Sequence, residues 1–78
     1  MRQILIVSNN DVFRNEQQRN RADDVPVISP TDLRKLPVGA SILAGHDESF
    51  GYVMLDGKAI GTVAISASDI RAGAINMK

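Results

Sequence analysis

The sequence predicts a small α+β domain, mostly β, in which two ββαβ halves form a six-stranded barrel-like sheet with short helices. Three observations support this: short apolar runs typical of strands, an Asp-Gly hairpin turn, and a motif that recurs 37 residues later, from Ile28 to Ile65. The 78 residues suffice for one domain. Its halves are predicted at about residues 1–44 and 50–78.

The first half begins with a strand and continues into a polar insert. Ile4 to Ser8 is a short run of mostly branched apolar residues, which indicates a strand covered on both faces. The insert, residues 9–24, has no large apolar residue after Phe13. It is therefore either a short helix that frays or an exposed loop. Ser8 and Asp11 fit a capping box that would start such a helix.

A second strand, a capped helix and a third strand are predicted after the insert. The second strand covers residues 25–29, with Pro26 at its start or on a sheet edge, because proline cannot donate to the ladder. Ser29 is a favourable N-cap and Pro30 suits the first helical position. The third strand covers residues 41–44.

The second half has the clearest local signals. Asp56-Gly57 favours a type I′ turn, in which both central residues have positive φ. Gly61 indicates a bulge or a close approach of another segment. The predicted elements are a strand over residues 52–55, the Asp56-Gly57 turn, a strand over 58–66, a helical turn started by Ser66, and a strand over 74–77.

The repeated motif occupies residues 28–34 and 65–71. Its pattern is Ile-Ser-x-Ser/Thr-Asp-Leu/Ile-Arg, followed by Gly-Ala and an isoleucine. Serine satisfies unpaired amides at a helix start, aspartate favours the positive end of the helix dipole, and arginine favours the other end. Capping therefore accounts for the motif, and each copy is predicted to form a strand, a capped helical turn and a strand.

The repeated segments resemble a known group of folds. The resemblance rests on Pro30, Leu33, Arg34, Leu36, Val38 and Gly39 with the second copy, and it covers about half of the chain. The chain is similar there to the cradle-loop barrels, which include double-psi barrels and the swapped-hairpin regulators of the AbrB type. The resemblance implies a closed barrel, and for the AbrB type a homodimeric DNA-binding transcriptional regulator.

Composition excludes several kinds of function. The chain has no cysteine, which removes disulfides, thiolate metal sites and thiol nucleophiles and favours a reducing, cytoplasmic location. The apolar run Ile4 to Val7 is too short for a signal peptide or a membrane span, so no membrane partner is expected. Nine basic and nine acidic residues cancel, which disfavours nucleic acid as a partner.

His46 is the only histidine, and it stands beside Asp47, Glu48 and Ser49. These residues could form a metal site or the acid–base part of a hydrolase. A zinc site needs further histidine or cysteine ligands, and no nucleophile elbow accompanies a serine. The scattered glycines match no phosphate-binding loop. We therefore expect an exposed polar loop, no catalytic residue, no metal and no cofactor.

The leading functional hypothesis is a non-enzymatic module that binds another protein. Small chains of this kind occur among the accessory proteins of phages and mobile elements, including inhibitors of host proteins. The alternative is an AbrB-like homodimer that binds DNA through a basic face built from Arg14, Arg19, Arg21, Arg34 or Arg71. A homodimer is compatible with either hypothesis. The predicted partner contacts come from the polar insert and the histidine loop: Phe13, Arg14, Gln17, Gln18, Arg19, Arg21 and His46.

Overall fold

A computed structural model describes residues 2–77 and contains five strands, two α-helices and two short 3₁₀ helices. The 3₁₀ helices are Ala22–Asp24 and Pro30–Lys35. The other elements, in chain order, are β1 (Arg2–Ser8), α1 (Asn10–Arg19), β2 (Ser41–Ala44), β3 (Phe50–Leu55), β4 (Lys58–Ala64), α2 (Ala67–Ala72) and β5 (Ala74–Met77).

The strands form one open mixed sheet in the order β4-β3-β2-β1-β5. β1 pairs parallel with β2, and every other neighbouring pair is antiparallel. The predicted α+β class with mostly β structure is confirmed. The predicted closed six-stranded barrel is wrong, because the sheet has five strands and two separate edges.

The missing sixth strand is the one predicted over residues 25–29. This segment makes a single parallel bridge, between Val27 and Thr62 on the outer edge of β4. Ile28 N donates to Thr62 O at 2.7 Å, and Thr62 N donates to Pro26 O at 2.9 Å. Pro26 has no N–H with which to extend the ladder, and Ser29 already caps the next helix. The pairing therefore stops after one bridge.

The two faces of the sheet carry different cores. The aliphatic face buries Ile4, Ile6, Ile42, Val53 and Val63 together with Leu33 of the second 3₁₀ helix. The aromatic face buries Leu43 and Tyr52 together with Phe13 of α1, and Phe50 packs against them. Register explains the separation, because Ile6, Ile42 and Val53 are cross-strand partners on one face, whereas Leu43 and Tyr52 are partners on the other.

The connection from β1 to β2 passes around the β4 edge of the sheet. Val25 packs against the aromatic core, whereas Ile28, three residues later, packs against the aliphatic core. Between them the chain makes the bridge to Thr62. Parallel strands need such a crossover, and here one connection covers both faces of the sheet and one of its edges.

Both predicted serine caps are confirmed. Ser29 Oγ accepts from Asp32 N at 3.3 Å, and Ser66 Oγ accepts from Asp69 N at 3.2 Å. The helix after Ser29 is a 3₁₀ helix, whereas the one after Ser66 is α2, which ends at left-handed Gly73. The predicted hairpin turn is also confirmed, because Asp56 and Gly57 have φ values of 52° and 77°.

No helix within residues 2–77 is both long enough and apolar enough to cross a membrane.

A substitution of Gly61 tests how closely the connection from β1 to β2 packs against β4. A Cβ at this position would lie 2.5 Å from Ile28 Cδ1 and 2.9 Å from Pro26 O. We expect Gly61→Ala to lower the free energy of unfolding by about 1–3 kcal/mol, as overpacking usually does. Urea unfolding followed by far-UV circular dichroism would measure the change.

The Ile28→Val variant is the matched control for this test. It removes the Cδ1 atom, so Gly61→Ala should cost less in the double variant than in the wild-type chain. A Gly61→Ala protein as stable as the wild type would contradict the close approach of residues 26–28 to β4.

Candidate partner-binding surface

The polar insert forms a helix, α1, whose N-cap is Asn9. The Asn9 side chain accepts from Val12 N at 3.1 Å. The predicted capping box of Ser8 and Asp11 is wrong, because Ser8 is still the last residue of β1. Within the described part of the chain, Ser8 Oγ is buried and has no hydrogen-bond partner.

Aromatic packing fixes α1 on the sheet. Phe13 is only 2% exposed, and its ring centroid lies 5.4 Å from that of Phe50 and 5.6 Å from that of Tyr52. These three rings are all the aromatic side chains that the chain has. Phe13 was predicted as a partner contact, but it lies in the core between α1 and the sheet. It is buried, unlike the exposed residues of that prediction.

Polar contacts to the sheet and within the helix fix the end of α1. Tyr52 OH donates to Asn20 O at 2.7 Å, and Asn20 Nδ2 donates to Glu16 Oε1 at 3.0 Å. Glu16 is 4% exposed. Its other carboxylate oxygen lies 3.7 Å from Arg19 Nη1. A buried carboxylate is costly unless it is paired. The Glu16 carboxylate therefore favours the conformation in which Asn20 and Arg19 contact it, and this holds the last turn of α1 in place.

The predicted histidine loop lies against the first turn of α1. His46 N donates to Asn10 Oδ1 at 2.8 Å, and Asn10 Nδ2 lies 3.4 Å from His46 Nδ1. Sequence reasoning assigned residues 8–11 to capping and missed Asn10 as the link between the two predicted contact regions. Its only sequence signal is its place two residues after the end of β1.

Helical spacing aligns most of the predicted contact residues. Asn10, Arg14 and Gln18 are four residues apart, so they follow one side of α1, and Gln17 lies beside them. Arg14, Gln18 and His46 are exposed, and Gln17 is half-buried. We call Asn10, Arg14, Gln17, Gln18 and His46 the polar stripe.

Two predicted contacts lie outside the polar stripe. Arg19 follows Arg14 by five residues, which places it well around the helix, and it is paired with Glu16. Arg21 is exposed but follows the end of α1, where its backbone N–H donates to Asp24 Oδ2 at 3.0 Å. The structure therefore brings together four of the seven predicted residues, separates these two, and buries Phe13.

The arginines proposed for DNA binding are also divided. Arg14, Arg19 and Arg21 belong to the segment that covers the aromatic face. Arg34 belongs to the 3₁₀ helix whose Leu33 covers the aliphatic face, and Arg71 to α2, whose Ile70 packs on that same face. Among the described residues, no three histidine, cysteine or acidic side chains converge in a way that could hold a metal ion.

No family model, curated protein or solved structure matches this chain.

Tyr52 predicts a pH dependence of stability. Burial, and to a smaller extent the charges of Glu16, Asp24 and Asp23, raise the pKa of the Tyr52 phenol above its ordinary value of 10.0. The unfolded chain therefore loses this proton at a lower pH than the folded chain does. We expect the corresponding part of the stability to be complete below pH 10.0 and to be lost as the pH rises through the raised pKa.

Tyr52→Phe is the matched variant. It lacks the hydrogen bond to Asn20, so it should be less stable than the wild type at neutral pH by about 0.5–1.5 kcal/mol, and the difference should narrow at alkaline pH. Tyr52 is the only tyrosine, so absorbance at the phenolate band reports its titration alone. A phenol that titrates at or below its ordinary pKa would contradict the buried arrangement.

Asn10→Ala tests the contact between α1 and the histidine loop. The change removes the acceptor for His46 N, so we expect a loss of about 0.5–1.5 kcal/mol and faster exchange of the His46 amide. Asn15→Ala is the control, because Asn15 is exposed on the same helix and alanine is the better helix former. Equal His46 exchange in both variants would show that Asn10 does not hold the loop.

Proposed function

We propose that the chain is a non-enzymatic module that binds another protein through the polar stripe of α1 and the histidine loop. The observation that carries the proposal is the alignment of Arg14, Gln18 and His46 along one exposed side of a helix whose opposite side is held in the core. Such a module suits the accessory proteins by which phages and mobile elements inhibit or modulate host proteins.

Preorganisation supports this use of the polar stripe. The helix is held at its start by the Asn10–His46 contact, in its middle by Phe13, and at its end by Tyr52. Binding would therefore order only side chains and would leave the backbone unchanged. Because ordering loops and side chains opposes association, a surface with a fixed backbone binds with a smaller loss of entropy.

The chemistry of the stripe also suits a protein partner. Arginine is among the side chains that most often contribute strongly to protein interfaces, and glutamine and histidine can both donate and accept hydrogen bonds. A partner with acidic and amide groups would complement this face.

The alternative, an AbrB-like DNA-binding homodimer, has less support. The net charge is zero, and the candidate arginines cover opposite faces of the sheet. A phosphate backbone would need them on one surface or brought together by a second copy. Under this alternative, affinity for duplex DNA should fall steeply as salt is raised.

The polar stripe is tested by reversing its charge. We expect the double variant Arg14→Glu, Gln18→Glu to bind at least about tenfold more weakly to any protein that the wild type captures from its source cells, because an arginine anchor is replaced by a repelling charge. Capture followed by titration of the purified partner would measure the change. Circular dichroism would confirm that α1 persists.

Lys58→Glu is the control, because Lys58 is exposed at the hairpin and its reversal changes the net charge in the same direction. It should leave the affinity unchanged. A captured partner that binds the double variant as well as the wild type would exclude the polar stripe as the interface. Salt-sensitive binding to DNA by the wild type alone would favour the alternative.

A further inference from the structure

The contact between α1 and the histidine loop requires a neutral His46 ring. The histidine loop, residues 45–49, joins β2 to β3. Asn10 Oδ1 accepts from His46 N at 2.8 Å, which fixes the orientation of the Asn10 amide. Asn10 Nδ2 is thereby turned toward His46 Nδ1, at 3.4 Å. Because an amide nitrogen donates and does not accept, His46 Nδ1 must be the acceptor, and the ring carries its hydrogen on Nε2.

Protonation of the ring would make this contact repulsive. An imidazolium carries a hydrogen on both nitrogens, so His46 Nδ1–H would point at the N–H groups of Asn10 Nδ2. The Asn10 amide cannot turn its oxygen to Nδ1 without losing the bond to the His46 backbone. Histidine is the side chain that ordinarily changes charge between about pH 5 and 8, so a modest change of pH is enough to end the contact.

No ion pair holds a protonated ring in its present position. The charged residues beside the contact come from both segments: Asp11 and Arg14 on α1, and Asp47 and Glu48 in the loop. Within residues 2–77, no carboxylate forms an ion pair with His46. Carboxylates stay charged throughout the range in which imidazole titrates, so they attract a protonated ring, whereas Arg14 and the Asn10 N–H groups repel it. The protonated ring therefore gains by leaving Asn10.

The position of α1 does not depend on the ring. Asn9 N donates to Ala44 O at 3.0 Å, which attaches the start of the helix to the end of β2, and Phe13 lies in the aromatic core. Gly45 is buried, and a Cβ there would lie 3.4 Å from Phe13 Cδ2. Loss of the ring contact would therefore loosen His46 and the following residues of the loop and leave the helix in place.

We propose that His46 is a pH-sensitive switch for the polar stripe. Above the pH range in which the imidazole titrates, the ring is held against Asn10, and Arg14 is the charged member of the stripe. Below this range the protonated ring leaves Asn10, the histidine loop loosens, and a second positive charge joins that of Arg14. This regulation rests on the proposed function, because His46, Asn10 and Arg14 belong to the proposed partner-binding surface.

Hydrogen exchange of the His46 amide, measured by NMR on the isolated chain, tests the switch. This amide reports the bond to Asn10 Oδ1, and the ring signals of the only histidine report its charge. After correction for the intrinsic effect of pH on exchange, we expect its protection to fall by about three- to tenfold as the ring is protonated. The Ile28 amide, which donates to Thr62 O at the β4 edge, should keep its protection.

Two variants separate the charge of the ring from other effects of acid. Asn10→Asp keeps an acceptor for His46 N and presents a carboxylate to Nδ1, so the His46 amide should become better protected when the ring is protonated. His46→Gln is the matched control, because it keeps the backbone N–H and a side-chain acceptor but gains no charge. Its protection should not depend on pH over the same range. Circular dichroism of each variant verifies that α1 persists.

The switch and the proposed function can fail separately. Equal protection of the His46 amide on both sides of the histidine titration would overturn the switch, as would an equal loss of protection in His46→Gln. Neither result would affect the binding experiment with the Arg14→Glu, Gln18→Glu variant. If that variant binds every captured partner as well as the wild type does, the proposed function is wrong, although the pH-dependent contact would still be observed in the isolated chain.

Discussion

The parallel pairing of β1 with β2 constrains the rest of the fold. Two parallel neighbours cannot be joined by a tight turn, so residues 9–40 must cross the sheet before β2 can form. This connection places Phe13 on one face, passes around β4 at the Val27 bridge, and places Leu33 on the other face. Among the described residues, the same path lies against β4 and leaves β5 as the opposite edge of the sheet.

The aromatic face shows how a mostly polar helix can be stable on a small sheet. α1 buries only Phe13 and Glu16. Phe13 is effective because Phe50 and Tyr52 meet it on adjacent positions of one face of β3, and Glu16 is tolerated because Asn20 and Arg19 satisfy it. The outer side of α1 contributes nothing to the core, so packing does not constrain which polar residues it carries.

Features set by neighbours in sequence could be predicted. The Asp56-Gly57 turn and the caps at Ser29 and Ser66 depend on residues at most three positions apart, and all three form as expected. The prediction of a closed barrel was wrong, because closure of the sheet depends on the path that the chain takes through the polar insert. That path depends on contacts such as Phe13 with Phe50, which the repeat does not encode.

The sequence indicates the individual residues of the polar stripe, but it does not indicate that they lie side by side. Arg14, Gln18 and His46 are polar residues in polar segments, which the sequence shows directly. Their adjacency depends on Asn10, which bonds to a loop 36 positions away. The likeness of the two repeated segments is equally local: their caps have the same chemistry, but one segment returns the chain to the centre of the sheet and the other leads it to the edge.

The pairing of Arg2 with Met77 places the first and last described residues side by side, at the distance of neighbouring strands. A short linker could therefore join them into a circular chain with little change in backbone geometry. The circle could be reopened at Asp56-Gly57, where only a tight turn is lost. In such a permuted protein β3 and β4 would become the terminal strands, while the crossover around the sheet would stay intact.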